Sequence, residues 1–340
     1  GSDARGLPAG ETLARLGHRG TVVCARDAPE MPEETVNGVA VHRVPLAIRR
    51  GGPIRYLFQY GAFFLLAAVA LRRLRPAAVH VHSVPDFLAF AALVPRLRGV
   101  RLTLDLHEAL PEMVRARFPK SVVAVGLARL AERMSCLLAD RVIVVNETIR
   151  DLVASRGTPT EKISVLYNSP DVTAGLGSEP AHLPGAPAAA LRLVYAGSVD
   201  RERDLETLIR AVAELRGTLP TALAVYGRGE ANYLSYLEGL VDGLGLRDLV
   251  RFGGLLPADR VLAYLARSDV GVVPYARNPL TEVALPNKVF EFVVLAKPLV
   301  LPDLRAMRRA FEDAAWFYEP GNTEDLAAKI RLAAAGGAAG

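Results

Sequence analysis

The run Leu285-Pro286-Asn287-Lys288-Val289-Phe290-Glu291 sets an amide, an ammonium and a carboxylate at helical spacing behind a proline. A helix opened by Pro286 aims its first backbone N–H groups, and the positive end of its dipole, at any anion lying in front of it. Asn287 and Lys288 stand at that end. Glu291 follows on the next turn, and an apolar strand candidate at 298–301 comes after it. At the crevice edge of an α/β sheet, one such carboxylate can accept hydrogen bonds from both hydroxyls of a ribose. The chemistry implied is nucleotide binding. A glutamate on an ordinary surface helix would satisfy the same pattern, but Val289, Phe290, Phe292 and Val293 leave Glu291 few solvent-facing neighbours.

Other residue types bear on a phosphorylated ligand. Arg201 and Arg203 follow Tyr195-Ala196-Gly197-Ser198-Val199 and precede the helical run Leu205-Glu206-Thr207-Leu208-Ile209. Cations at a helix N-terminus oppose the dipole, so an anion between them accounts for the pattern better than a solvated helix start. In the N-terminal half, Leu104-Asp105-Leu106-His107-Glu108 ends a strand candidate with a histidine, at the edge where ligands bind in parallel sheets. A strand-end histidine bonded to backbone is the alternative. Glu108 and Glu112 could touch a second substrate or cap the helix after Pro111. His80 and His82 alternate along a strand and share one face. No further ligands stand at metal-site spacing, so they are expected to be structural or cleft-lining and no metal site is expected. Gly227-x-Gly229 after a strand hints at dinucleotide binding, but Asn232 occupies the third glycine position.

The LPNKVFE run resembles the C-terminal signature of family 4 (group 1) glycosyltransferases of the GT-B fold, in the subgroup whose motif reads LPNK(L/V)FE. Similar matches run along the chain: Tyr195–Val199 to the strand and phosphate loop, Val225-Tyr226-Gly227-Arg228-Gly229-Glu230 to V-x-G-x-G-x, Val250-Arg251-Phe252-Gly253-Gly254 to V-x-F-x-G, and Ser268–Tyr275 to the aDvgv-x-Py strand. Asp105-Leu106-His107-Glu108 resembles DLHE, and Tyr167–Asp171 resembles YN(G/S)PD at the domain hinge.

The resemblance implies an α/β chain of the GT-B type, two Rossmann-like domains with parallel sheets facing across a cleft. It implies a nucleotide diphosphate sugar bound by the C-terminal domain and transferred with retention to a glycan, lipid-linked or small-molecule acceptor. Gly197, Ser198, Arg203, Gly227, Arg228, Pro286, Asn287, Lys288 and Glu291 are the implied donor contacts. His107, Arg203 and Lys288 are the implied catalytic residues, and His82, Glu108 and Glu112 lie on the acceptor side. Arginine, lysine and helix N-termini would neutralise the diphosphate, so no metal or cofactor is expected. The family's E-x7-E pattern is not kept: Val283 stands where the first glutamate would be, and Glu282 is one residue out of register. An epimerase or glycoside phosphorylase on the same fold, or a non-catalytic partner subunit, would share much of this pattern.

The remaining signals set the frame around these residues. A chain of 340 residues, 51% apolar, suits two cores. Apolar β-branched runs at 21–25, 78–82, 101–106 and 141–145 alternate with helix-length segments, and a second series runs through 191–196, 221–226, 250–252, 270–274 and 298–301. Between them, residues 173–190 collect glycines and prolines, which predicts a domain at 1–172, a linker, and a domain at 191–340. Asn37-Gly38 predicts a tight hairpin turn. Residues 1–10 lack the family's opening strand, and 333–340 fade into Ala and Gly, so the chain reads as clipped at both ends. The net charge of +5 belongs to the N-terminal part, +7 over 1–172 against −2 over 173–340. Nucleic acid is the weakest of the partners such a charge could attract, since no recognition motif is present and no base-stacking platform of interleaved aromatic and basic residues is found, so none is expected. Cys24 and Cys136, far apart and without metal spacing, suggest a reduced, cytoplasmic setting. Ile54–Arg75 mixes aromatics and arginines, as a helix on a membrane surface would, although such a helix is more often buried against the sheet with its arginines at the end. Its longest apolar run, 61–71, falls short of the roughly 18 residues that span a bilayer.

Overall fold

A computed structural model describes residues 6–26, 30–49, 52–169 and 190–336. The chain divides into two compact units, one of residues 1–145 and 150–166, the other of residues 146–149 and 167–340. The junction at 166/167 lies six residues before the predicted one, and the start of one helix belongs to the second unit. Of the predicted linker, 173–189 lie outside the described residues, as do Pro170 and Asp171 of the hinge motif.

The first unit contains α1 (Gly6–Arg15), β1 (Thr21–Ala25), β2 (Glu33–Val36), β3 (Val39–Val44), α2 (Pro53–Leu74), β4 (Ala78–His82), α3 (Leu93–Leu97) and β5 (Arg101–Leu106). It continues with α4 (Leu110–Arg117), α5 (Val122–Leu138), β6 (Arg141–Val144), α6 (Glu147–Ser155), whose first turn falls in the second unit, and β7 (Ile163–Val165). Strands β4-β5-β6-β7 form one parallel sheet in that order. β1 pairs parallel with β3, and β2 pairs antiparallel with β3 through the Asn37-Gly38 turn. Both turn residues have positive φ, 48° and 83°, as a two-residue hairpin of this twist requires. Neither Cys24 nor Cys136 is in a disulfide.

Two polar features are buried in this unit. Arg156 joins Glu112 and Glu132, and all three side chains are at most 13% exposed. Asp86 is fully buried and accepts a hydrogen bond from Ser83 Oγ at 2.5 Å. Burial pushes its carboxyl up to about 7, with the Ser83 bond opposing and the Glu132 charge reinforcing the shift. A raised folded-state value means that folding favours the protonated acid, so this contribution to stability is lost as pH rises from about 4 to about 7. Asp86→Asn is therefore expected to gain stability relative to the parent over that window, by on the order of 1–2 kcal/mol at pH 8. Urea unfolding at pH 5 and pH 8 checks this; an unchanged difference between the two proteins would show that Asp86 is ionised in the fold.

The second unit contains β8 (Leu191–Ala196), α7 (Leu205–Leu215), β9 (Thr221–Tyr226), α8 (Ala231–Gly243), β10 (Val250–Gly254) and α9 (Val261–Leu265). These are followed by β11 (Gly271–Val272), α10 (Asn287–Val294), β12 (Leu299–Pro302), α11 (Arg305–Phe311), β13 (Trp316–Tyr318) and α12 (Thr323–Ala334). Two parallel ladders, β10-β9-β8 and β11-β12-β13, lie side by side. They meet where Asp269 N donates to Arg192 O at 2.8 Å, Arg192 N to Asp269 Oδ2 at 2.8 Å and Val194 N to Ser268 Oγ at 3.1 Å. Side chains of Ser268 and Asp269 thus replace ladder bonds at the seam. Across the unit the order becomes 3-2-1-4-5-6, and the loops after β8 and β11 flank the point where it reverses, the place where such sheets bind ligands. Helix α7 buries Leu205, Leu208, Ile209, Val212 and Leu215 against the sheet and α12, a stripe at i, i+3, i+4, i+7.

Candidate nucleotide site and a histidine cluster

Two loops at the switch point are forced together by glycine. Gly197 N donates to Tyr226 O at 2.8 Å, Val199 N to Arg228 O at 2.8 Å, and Gly227 N to Gly254 O at 2.7 Å. A Cβ on Gly227 would lie 1.6 Å from Gly197 O, and one on Gly229 2.1 Å from Val199 O. Gly227-x-Gly229 therefore exists to let the β8 and β9 loops run in contact, not to approach a dinucleotide. Arg228 contributes its carbonyl to that pairing, while its side chain is solvent-exposed.

Lys288 lies over the first of these loops: a Cβ on Gly197 would meet Lys288 Cε at 2.6 Å and Nζ at 3.3 Å. Helix α10 carries it, with Pro286 as the N-cap residue and Asn287 as the first helical residue, one position later than predicted. Lys288 Nζ stands 3.9 Å from Glu291 Oε2, and the two side chains are only 22% and 17% exposed. Burial pulls the Lys288 ammonium down; the Glu291 carboxylate opposes this and the positive charge of Arg203 adds to it. Glu291 Oε2 is buried and makes no hydrogen bond among the described residues. A buried carboxylate oxygen in that state is an acceptor for an external hydroxyl.

Arg203 completes the group. Its guanidinium lies 4.4 Å over the ring of Tyr275, and its Nε donates to Ser198 Oγ at 3.2 Å. Arg201 turns away, onto the ring of Tyr233 at 5.0 Å. The two arginines are thus separated, and Arg203 is anchored by the aromatic of the β11 loop rather than solvated. Gly197, Ser198, Arg203, Lys288 and Glu291 come together; Tyr275 is the contributor that sequence reasoning matched to a strand without giving it a role. Glu282 is placed elsewhere. Its Oε2 accepts from Arg305 N at 3.0 Å and its Oε1 from Arg277 Nη1 at 2.5 Å, so it caps α11 and binds Arg277. Val283 is buried, and its carbonyl accepts from Asn146 Nδ2 at 3.0 Å.

In the first unit, the β4–β5 register sets His82 opposite Asp105 and His80 opposite Thr103. Asp105 Oδ2 lies 3.3 Å from His80 Nε2, 3.4 Å from His82 Nδ1 and 3.4 Å from His107 Nε2. His82 Nδ1 and His107 Nε2 are 2.9 Å apart, with ring centroids 5.2 Å apart and planes within 7°. Those values fit rings lying in line and edge to edge, joined by an N–H···N bond. Burial raises the Asp105 carboxyl, but hydrogen bonds from His80 and His82 and the charges of His107 and His82 outweigh it and hold it well below the usual carboxylate range. The expectation that His80 and His82 lack further metal-type neighbours is corrected here: ligand atoms of His80, His82 and Asp105 fall within 4.8 Å of one another. His82 Nδ1, the nitrogen that faces Asp105, is however already engaged by His107 Nε2, so a metal shared by His80, His82 and Asp105 would have to displace that bond.

The acceptor-side assignment of Glu112 is also corrected. It is buried in the ion triad with Arg156 and Glu132 on the first turn of α4, so its charge is already satisfied inside the unit. Glu108 lies on the β5–α4 loop and is exposed.

Comparison with known proteins identifies the family. Residues 7–169 match the model of the glycosyl transferase 4-like domain, and residues 190–335 match glycosyl transferases group 1. The chain is 22% identical over 342 residues to an uncharacterized glycosyltransferase of Methanocaldococcus jannaschii, covering 88% of this chain and 85% of that protein. It is 30% identical over 279 residues to 2-deoxystreptamine N-acetyl-D-glucosaminyltransferase of Streptomyces fradiae, covering 76% of this chain and 65% of that one. Among solved structures, sucrose-phosphate synthase from Thermosynechococcus elongatus superposes with a TM-score of 0.76 at 17% identity, over 96% of this chain and 82% of that one. Anabaena HepE in complex with UDP and glucose superposes with a TM-score of 0.68 at 16% identity, over 98% and 86%. With both halves matched by their respective family models, the chain belongs to the group 1, family 4-like glycosyltransferases of the GT-B fold.

Proposed function

We propose that the chain transfers a sugar from a nucleotide diphosphate sugar to an acceptor with retention of anomeric configuration, as a member of the LPNK-x-FE subgroup. The observation that carries the donor reading is the arrangement on one switch point: two cations, Lys288 and Arg203, beside a buried carboxylate whose Oε2 has no hydrogen bond among the described residues. Lys288 and Arg203 suit the diphosphate, and Glu291 suits the ribose. Pro286 and Asn287 bring the N-terminus of α10 to the same place. Solved structures of Anabaena HepE with UDP and with UDP-glucose support a nucleotide of this class. To His107 of the first unit we assign a role toward the transferred sugar, and to His82 and Glu108 a role toward the acceptor. Two cations and a helix N-terminus stabilise the departing diphosphate without a metal ion.

Thermal unfolding with UDP, GDP, ADP and dTDP and their sugars tests the donor reading. A ligand at 100 times its dissociation constant adds about 2.7 kcal/mol, and one base is expected to stand out. No stabilisation by any of them would remove the donor site from this switch point. Product analysis by NMR then separates the reactions: a new glycoside of retained configuration is expected, whereas an altered free or nucleotide-linked sugar would identify an epimerase or phosphorylase. Donor binding without hydrolysis or transfer would identify a partner subunit.

A further inference from the structure

Helix α5 is built inside out. Its inward face carries Ala128, Glu132, Ser135 and Cys136, all buried, whereas Val122, Val123, Leu127, Leu130, Met134 and Leu137 are 44–83% exposed. Positions 123, 127, 130, 134 and 137 alternate four- and three-residue steps, which draws one continuous stripe along a helix. A water-facing helix has the reverse arrangement, because burying its large apolar side chains is what holds it to the domain. Rotating α5 to hide the stripe is prevented by specific bonds: Ser135 Oγ donates to Asp86 O at 2.9 Å, and Glu132 accepts from Arg156 Nη1 at 2.9 Å. The stripe is not isolated. Helices α2 and α3 pack on the same short turn, Asp86–Ala92, that receives α5, and Leu57, Phe58, Leu65 and Leu97 are 64–78% exposed. An exposed apolar stripe running the length of a helix marks an interaction site.

Charge identifies what covers it. Helices α2 and α3 contain no acidic residue, and the only acid in α5 is the buried Glu132. Arg55, Arg72 and Arg73 on α2 and Arg129 and Arg133 on α5 are exposed. A second copy docked through this face by two-fold symmetry would bring cationic surface against cationic surface. An anionic lipid surface accepts both the apolar stripe and the arginines. Although α2 is long and apolar enough to cross a membrane by length and composition, one side of it packs on β1, β3 and the Asp86–Ala92 turn. We propose that this face of the first unit docks on an anionic bilayer, with the α5 stripe among the headgroups and Arg129 and Arg133 at the lipid phosphates.

Flotation of the whole chain with vesicles tests the proposal. The protein is expected to float with vesicles containing phosphatidylglycerol and to remain behind with phosphatidylcholine alone. Leu127→Glu with Leu130→Glu should abolish flotation. Arg129→Glu with Arg133→Glu removes four units of charge, and at about fivefold per unit it should weaken binding by on the order of several hundredfold. Arg247→Glu, an exposed site on the second unit, should leave it unchanged. Thermal unfolding of each variant reports whether it folds. Failure of the parent to float, or flotation that survives both double substitutions, overturns the proposal. A dimer that the leucine substitutions convert to monomer, without flotation, would assign the face to a second copy instead.

Discussion

Lys288→Ala and Arg203→Ala are each expected to weaken binding of a nucleoside diphosphate by about tenfold to a hundredfold, while leaving the bare nucleoside almost unaffected. Charge-assisted hydrogen bonds are worth roughly 1.5–3 kcal/mol, and neither cation is lost in solvent: Lys288 is pressed against Gly197, and Arg203 is held on Tyr275 and Ser198. Glu291→Ala should behave differently, weakening nucleoside and nucleotide alike, because its proposed partner is the ribose. Protonation supplies a second readout. The Lys288 ammonium is lowered by burial and by the charge of Arg203, and an arriving diphosphate would raise it again. Binding at alkaline pH is therefore expected to take up protons, visible by calorimetry in buffers of different ionisation enthalpy. Lys288→Ala should lose that uptake and Arg203→Ala should keep part of it. If all three variants bound the diphosphate as tightly as the parent, the donor site would lie elsewhere.

What could be read beforehand depended on whether the signal was local. β-branched runs predicted β1, β4, β5, β8 and β9 at their observed bounds, and Asn37-Gly38 predicted its hairpin, because strand periodicity and turn chemistry are written in adjacent residues. The short strands β7 and β13 carry three residues each and gave no such signal. Likewise, Lys288 and Glu291 were legible from their spacing on one helix. Tertiary partners were not. Glu112 looked like a site residue until Arg156, 44 positions away, proved to neutralise it. Glu282 looked like an out-of-register ligand, yet it caps α11, 23 residues further on. The inside-out α5 is the clearest case, since its apolar periodicity predicts burial of the very side chains that are exposed. Only the fixed contacts of Ser135 and Glu132 reveal which face turns inward.

The histidine cluster yields the second large expected effect, and it too depends on register that no local pattern reveals. His107→Ala is expected to lower turnover by about a hundredfold to ten-thousandfold, the range for loss of a positioned acid–base group, while nucleoside diphosphate affinity changes little. Its contacts with Asp105 and His82 lie wholly in the first unit, whereas Lys288, Arg203 and Glu291 lie in the second. Equal losses in turnover and binding would mark His107 as structural. Asp105→Asn separates these readings further, because it keeps the shape of the side chain and removes the anion that the three imidazoles surround. Asp105 has a folded-state value below its unfolded one, so its contribution to stability is present above about pH 4 and is lost as pH falls through the folded value. The variant should therefore be destabilised at neutral pH, by on the order of 3 kcal/mol for loss of one partner of a buried polar cluster, and the gap between it and the parent should narrow as pH falls below about 4. Denaturant titrations at pH 7 and pH 3 measure that gap. A gap that stays constant would mean that Asp105 is not the ionised centre of the cluster, and His107 would then have to be oriented by His82 alone.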